Sequence, residues 1–224
     1  MRILGIDTST EYAGVAILED DKLIAQSIMK FKASHSEKLL PEIVHILETM
    51  KIPIETIDYY SVTVGPGSFT GLRVAVSTVK GLSFVTQKKV IPVSTLEVIA
   101  WRLPYCKYQI SPIIDARKKE IFAALFRWTD NKIERLKEDS VINIETLAEW
   151  IKEETVFVGS AVELYKEKLI EKFGRKAIFV DSIYSVASPS IVAYIASKRI
   201  DEAIHGKDLK PIYLRKSEAE IKFG

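Results

Sequence analysis

The sequence predicts an α/β protein with two related lobes, and three observations lead to this class. The chain has 224 residues and is 47% hydrophobic, which suffices for a sizeable core. Apolar strands come first, alternating helices and strands follow them, and the same order returns after about residue 105. Because Pro104 and polar neighbours interrupt the pattern, we expect an N-terminal lobe at 1–104 and a C-terminal lobe at 105–224. The C-terminal tail can pack back on the first lobe.

The first lobe begins with three apolar segments, which predict strands at 2–9, 12–20 and 22–30. Asp20-Asp21 separates the second segment from the third, as in a β-hairpin. Between residues 35 and 50, the apolar side chains fall on one helical stripe: Leu39, Leu40, Ile43, Leu47 and Met50. The pattern then predicts a strand at 58–65, a helix at 69–87, a strand at 89–94 and a helix at 95–103.

The second lobe repeats this outline. Two apolar strands at 110–117 and 120–128 are separated by the polar turn of Arg117 to Lys119, and one or two exposed strands follow at 132–143. Helical stripes and short apolar runs then alternate: helix 144–154, strand 155–160, helix 161–173, strand 176–180 and helix 188–200. Since the order matches that of the first lobe, two related lobes with a cleft between them are the simplest architecture.

Composition excludes several classes of protein. The net charge is +2 and the pI is about 8.4, well short of the basicity of a dedicated nucleic-acid binder. Cys106 is the single cysteine, which excludes an internal disulfide and a cysteine zinc cluster. No secretory apolar region begins the chain, and no apolar run approaches the ~18 residues of a membrane span. We therefore expect a cytoplasmic protein without membrane contact.

The stretch "VGPGSFTGLR", residues 64–73, is a strand-to-helix turn with two alternative readings. It is not a Walker loop, because five residues separate Gly65 from Gly71 and no Lys-Ser/Thr follows. In one reading, backbone amides and hydroxyls at the helix N-terminus bind an anion. In the other, the glycines supply unusual dihedrals and a hydroxyl caps the helix. Both readings concern the same residues: Gly65, Pro66, Gly67, Ser68, Thr70 and Gly71.

Catalytic groups are sparse. His35, His45 and His205 are the three histidines, and no two have the helical spacing of a ligand pair. Ser68 does not lie in a Gly-x-Ser-x-Gly elbow.

Two strand-end carboxylates are better candidates for chemistry. Asp7 is followed by Thr8 and Ser9, and Asp115 is followed closely by Arg117. In a two-lobed fold we expect Asp7 and Asp115 to face one cleft, which would suit a nucleotide phosphate. The alternative is that both are ordinary turn or cap residues.

Five motifs in chain order carry a resemblance to a known family: "IDTST", "HSEKLLP", "GPGSFTGLR", "DARKKEIF" and "PIYLR". With them the chain resembles the TsaB (YeaZ) family over nearly its whole length. The resemblance implies the actin-like, Hsp70-like and sugar-kinase-like ATPase fold, which is ribonuclease-H-like. It also implies a role in making threonylcarbamoyladenosine in tRNA, beside the anticodon, as the non-catalytic partner of TsaD and of the ATPase TsaE.

The same resemblance implies that the catalytic metal site is lost. The paralogue TsaD carries His-x-x-x-His after its corresponding strand, whereas Thr95 and Ile99 stand at those positions here. We therefore expect no catalytic residue, metal or cofactor, and only a vestigial or weak nucleotide cleft at Asp7, Thr8, Ser9 and Asp115. The alternatives are an independent ATPase or small-molecule kinase of this fold, and a peptidase or chaperone-like factor.

A partner surface is expected on two helices of the first lobe. The helix at 69–87 is apolar nearly all round, and its small residues Gly71, Ala75 and Thr78 fall near one line. The full expected interface is Leu39, Ile43, Ile46, Gly71, Leu72, Ala75 and Thr78. We expect two copies to pair through it when alone, TsaD to displace one copy, and tRNA to be reached only indirectly. The alternative is that other helices of the chain cover both faces.

Overall fold

The computed structural model describes residues 1–30 and 35–215, so part of the expected C-terminal lobe, residues 216–224, lies outside the described residues. The chain forms two compact units. The first comprises Met1–Val98 and Ala187–Ile212, and the second comprises Ile99–Val186 and the segment that starts at Tyr213.

A five-stranded mixed sheet forms the centre of the first unit. Its strands are β1 (Arg2–Asp7), β2 (Tyr12–Glu19), β3 (Lys22–Lys30), β4 (Tyr59–Gly65) and β5 (Lys89–Ser94), in the order β3-β2-β1-β4-β5. β2 runs antiparallel to β1 and β3, whereas β4 is parallel to β1 and β5. Side chains alternate between the faces of a strand, so Leu4 and Ile6 of β1 point to one face and Gly5 to the other.

Helices cover both faces of this sheet. Leu4 and Ile6 belong to a core shared with α1 (His35–Met50) and α2 (Phe69–Thr86). On the opposite face, Gly5 lies beneath α6 (Pro189–Ser197): a Cβ at Gly5 would come within 2.3 Å of the Pro189 carbonyl oxygen. The short helix α3 (Thr95–Ala100) follows β5.

The position of α6 differs from the expected division at residue 104. The sequence pattern assigns this helix to the C-terminal lobe, yet Ala187–Ile212 pack with the first unit. The physical reason is its composition, since α6 buries Val192, Ala193, Ile195 and Ala196 and needs an apolar surface to cover them. The face of the first sheet around Gly5 provides that surface at close approach.

The second unit repeats the first topology. Its strands are β6 (Gln109–Arg117), β7 (Glu120–Thr129), β8 (Lys132–Ile142), β9 (Thr155–Val158) and β10 (Ala177–Phe179), in the order β10-β9-β6-β7-β8. Two antiparallel hairpins followed by two parallel strands are the pattern of the first sheet. The helices α4 (Ile144–Trp150) and α5 (Val162–Phe173) pack around a core with Phe157 at its centre. Two related lobes of the ribonuclease-H-like type are thereby confirmed.

The described part of the chain also contains short 3-10 helices, at Ile54–Thr56, Gly174–Lys176, Ser182–Ser185, Ile200–Glu202 and Gly206–Asp208. None of the helices described is both long enough and apolar enough to cross a membrane.

The structure corrects the expected partner interface. Most of its residues are buried in the first unit, where they form the core between the sheet, α1 and α2: Leu39, Ile43, Ile46, Leu72 and Ala75, together with Gly71. The apolar character of α2 on more than one face arises because α1 packs against it as well as the sheet. Only Thr78 is half-buried. The exposed apolar side chains of these two helices are others, among them Leu40, Val44, Phe84 and Val85.

Candidate functional site

The glycine turn between β4 and α2 is closely packed against the turn that joins β1 to β2. A Cβ at Gly67 would lie 2.2 Å from the Ser9 carbonyl oxygen, and one at Gly71 would lie 2.0 Å from the Thr8 carbonyl oxygen. Real Cβ atoms do not approach oxygen so closely, so both positions require glycine. Gly65 has a positive φ of 130°, and the Gly65–Pro66 peptide is cis. The backbone of the β1–β2 turn therefore fills the space into which a side chain at Gly67 or Gly71 would project.

Hydrogen bonds fix this packing. The Ser68 amide donates to the Ser9 carbonyl oxygen at 2.7 Å, and the Thr8 hydroxyl donates to the Gly71 carbonyl oxygen at 2.7 Å. Ser68 is also the N-cap of α2, since its Oγ accepts from the Gly71 amide at 3.2 Å. The hydroxyl of Ser68 is thus used for capping, and its amide holds the β1–β2 turn.

Asp7 organises the buried side of the same turn. Its side chain is almost completely buried, and Oδ1 accepts from the hydroxyls of Ser9 and Thr63, each at 2.6 Å, and from the Ser9 amide at 3.3 Å. Several donors are what a buried carboxylate requires to offset the loss of water. Asp7 and Ser9 thus belong to a network that ties β1 to β4, whereas the Thr8 hydroxyl bonds to the start of α2, and a nucleotide cleft at these residues stays a prediction.

Asp115 has a local role in the second unit. Its Oδ1 accepts from the Arg117 amide at 2.9 Å, and Oδ2 lies 3.6 Å from Nη1 of Arg117. This is an Asx-type turn that closes the β6–β7 hairpin. Burial raises the pKa of Tyr165, and the nearby charges of Asp115 and Glu120 raise it further. Since Asp7 and Asp115 belong to separate units, a cleft that both would face stays a prediction.

The two positions expected to replace metal-binding histidines are both buried. Thr95 begins α3 and has a buried hydroxyl without a hydrogen-bond partner among the described residues. Ile99 is fully buried and offers no ligand atom. Within residues 1–30 and 35–215, no three His, Cys, Asp or Glu side chains cluster closely enough to hold a metal ion.

Sequence reasoning missed a buried ion pair at the end of β5. Glu97 of α3 is nearly inaccessible, and the Arg199 guanidinium donates to both of its oxygens, at 2.5 and 3.1 Å. Burial favours a lower pKa for Arg199, but the hydrogen bond and the charge of Glu97 outweigh it and raise the pKa. The partners are 102 residues apart, so no local pattern could have indicated the pair.

A groove of about 520 Å³ at the C-terminal end of α2 was also not predicted. Its lining is basic, with an exposed aromatic ring at one side: Lys80, Lys88, His205, Lys207 and Phe84. The end of α2 is capped by its own side chains, since Gln87 Nε2 donates to the Phe84 carbonyl oxygen and Thr86 donates to that of Leu82. The lysines are therefore not needed as helix caps.

Comparisons with known proteins show which proteins this chain resembles in sequence and in fold. A family model described as TsaD, tRNA N6-adenosine threonylcarbamoyltransferase, matches residues 27–223. The chain is 30% identical to the Bacillus subtilis tRNA threonylcarbamoyladenosine biosynthesis protein TsaB over 226 residues, covering 100% of this chain and 98% of that protein. It is 34% identical to Escherichia coli TsaB over 59% of this chain and 58% of the relative. A Fusobacterium nucleatum tRNA N6-adenosine threonylcarbamoyltransferase is 35% identical over 42% of this chain and 32% of its own length.

Solved structures give the same fold. YeaZ from Pseudomonas aeruginosa is similar with a TM-score of 0.81 and 24% identity, covering 95% of this chain and 99% of that one. A second Pseudomonas aeruginosa structure, described as similar to peptidase YEAZ, has a TM-score of 0.79 and 23% identity, covering 96% and 99%.

Proposed function

The chain belongs to the TsaB family of tRNA threonylcarbamoyladenosine biosynthesis proteins, and from this premise we propose that it is a non-catalytic scaffold subunit in that synthesis. In this proposal it acts in the cytoplasm on the modification of the adenosine beside the anticodon. Its catalytic partner is TsaD, and TsaE supplies the ATPase activity.

One observation carries the non-catalytic role: the glycine turn packs directly against the β1–β2 turn of the same chain. Ser9 and Thr8 approach Gly67 and Gly71 so closely that neither glycine could accept even a Cβ. The polar groups at the start of α2 are used within the chain, since the Ser68 amide donates to the Ser9 carbonyl oxygen and the Ser68 hydroxyl accepts from the Gly71 amide. Two further observations support the role, since the Asp7 Oδ1 is already occupied by three donors and Thr95 and Ile99 offer no metal ligand.

For the partner surface, the exposed stripes of α1 and α2 replace the buried residues first expected. Leu40 and Val44 lie four residues apart and so share one face of α1, and they are 50% and 45% exposed. Thr78 and Val85 lie seven apart on α2, which packs against α1. The occupant we propose is TsaD, because the TsaD family model spans both helices of this chain and so implies an equivalent pair on the partner. In its absence a second copy of the chain takes the same place.

A reconstituted reaction tests the function. Purified chain, TsaD, TsaE, ATP, bicarbonate, threonine, the enzyme that makes threonylcarbamoyl-adenylate and an unmodified tRNA are combined, and each protein is omitted in turn. Modified nucleoside is measured by mass spectrometry. The scaffold role predicts loss of modification without this chain, and none when this chain acts without TsaD. Transfer by this chain alone, or steady ATP turnover by it, would instead support the independent ATPase or kinase.

A further inference from the structure

Three β-hairpins of this chain have the same two-residue turn. Paired residues flank Asp20-Asp21 between β2 and β3, Asp130-Asn131 between β7 and β8, and Lys118-Lys119 between β6 and β7. All six central residues have positive φ, between 44° and 67°. The three turns therefore provide an internal comparison of residue choice at one backbone geometry.

Two of the turns follow ordinary turn chemistry and one does not. Positive φ at both central positions favours Gly, Asn and Asp, and the first and third hairpins along the chain use Asp and Asn. The β6–β7 turn instead places two lysines there, preceded by Arg117 at φ 65°. Lysine gains nothing locally from this conformation, because its side chain has no oxygen to bond to the backbone of the turn. The two lysines thus occupy positions whose backbone conformation disfavours them.

The charges of the two turn lysines have no partner among the described residues, because the nearby carboxylates pair with arginines. Asp115 is matched by Arg117, at 3.6 Å, and Glu120 is matched by Arg215, at 3.2 Å. Lys118 and Lys119 are both exposed, and neither has an ion pair or a side-chain hydrogen bond in the described part of the chain. Among residues 1–30 and 35–215, nothing pairs with the two adjacent ammonium groups that the tip presents.

The tip is held in place by a residue from the C-terminal segment. Nη1 of Arg215 donates to the carbonyl oxygens of Ala116, at 2.5 Å, and Arg117, at 3.2 Å. Two of the five sequence motifs, "DARKKEIF" and "PIYLR", meet in this contact. Because one guanidinium binds the carbonyls just before the turn and the carboxylate just after it, the direction in which the lysines project is fixed at their base.

We propose that this tip, Arg117 to Lys119, contacts the phosphodiester backbone of tRNA directly. The proposal rests on the proposed function, which makes tRNA the substrate of the assembly, and it replaces the expectation of indirect contact alone. A hairpin tip with three exposed cationic side chains suits a polyanion better than a small anion. RNA offers closely spaced phosphates, and lysine binds each of them as a point charge without requiring a particular sequence.

Two double variants separate the tip from general charge. Lys118→Asn with Lys119→Gly removes both charges and installs the preferred turn residues, so the folded state should be as stable as before or more so. The control is Lys22→Gln with Lys132→Gln. It removes two exposed lysines that directly follow the turns of the other two hairpins. Both variants have the same net charge.

The measurement is binding of an unmodified, fluorescently labelled tRNA transcript across a series of salt concentrations, with the chain alone and bound to TsaD. Loss of two phosphate contacts should reduce the magnitude of the slope of log affinity against log salt by about 1.4 to 1.8. At 0.1 M salt this corresponds to roughly 25- to 60-fold weaker binding. The control variant should match the wild-type protein.

Four results would overturn the proposal. Unchanged affinity and slope in the tip variant would do so, as would equal loss in the control variant. Loss of TsaD binding with unchanged tRNA binding would make the tip a protein contact. Displacement of tRNA by millimolar pyrophosphate at constant ionic strength would make it a small-anion site. Failure of the proposed function is distinguishable, because it appears as full modification in the reconstituted reaction when the wild-type chain is omitted, whatever the affinities.

Discussion

Replacing Gly71 by alanine is a direct perturbation of the contact between the glycine turn and the β1–β2 turn. The new Cβ would lie 2.0 Å from the Thr8 carbonyl oxygen, a backbone atom that cannot rotate away. Either the start of α2 or the β1–β2 turn must move. Both movements strain two hydrogen bonds, from Ser68 to Ser9 and from Thr8 to Gly71.

The expected loss follows from these contacts. Overpacking costs about 1–3 kcal/mol, and each weakened hydrogen bond adds about 1 kcal/mol. The better helix propensity of alanine returns up to about 1 kcal/mol. The net destabilisation is then about 2–4 kcal/mol, a fall in Tm of roughly 5–15 °C for a chain of this size.

Gly81→Ala is the matched control on the same helix. Among the described residues, no heavy atom outside the neighbouring turns of α2 lies within 4 Å of the position that a Cβ at Gly81 would take. This variant should gain up to about 1 kcal/mol from helix propensity. Thermal unfolding followed by circular dichroism compares the two. If Gly71→Ala is as stable as Gly81→Ala, the glycine turn is not packed as described and the space beside it is open to a ligand.

Two further predictions concern a surface and a pH dependence. Val44→Arg should leave the fold intact but abolish self-association and TsaD binding in sedimentation experiments, because an unpaired guanidinium would be buried in the interface. Leu164→Arg, at an exposed position of α5, should change neither, and unchanged complexes of the Val44 variant would place the interface elsewhere. Asp21 accepts from Lys198 and Ser197, which lower its pKa below the ordinary 3.8. Because the pKa of Asp21 is lower in the folded chain than in the unfolded chain, its charge stabilises the fold at pH values above the unfolded pKa. Asp21→Asn should therefore lower the free energy of unfolding by roughly 0.5–1 kcal/mol at pH 7. Urea titrations should show this difference vanish as the pH falls from 3.8 through the folded pKa, and a constant difference would contradict the prediction.

Local patterns explain why most strands and helices could be predicted. β1 and β2 are continuous apolar runs, and the stripe of α1 has helical spacing, so each element is specified by residues close together in the chain. The order of elements in the second unit could be predicted for the same reason, whereas the pairing of its strands was not predicted.

What failed depends on contacts between distant residues. The apolar surface of α2 has the same pattern whether α1 or a partner covers it, so the burial of Ala75 could not be read from the helix itself. The position of α6 depends on Gly5, more than 180 residues earlier in the chain. The close packing of the glycine turn likewise depends on Thr8 and Ser9, which lie more than 50 residues earlier in the chain.

One measurement tests the division of labour between this chain and TsaD most directly. The reconstituted reaction is run with wild-type chain, TsaE and a TsaD whose metal-binding histidines are replaced by alanine, after gel filtration has shown that the complex still forms. Because this chain has Thr95 and Ile99 at those positions, the account predicts no modified nucleoside above background. Modification that persists and depends on this chain would show that the chain itself performs the transfer.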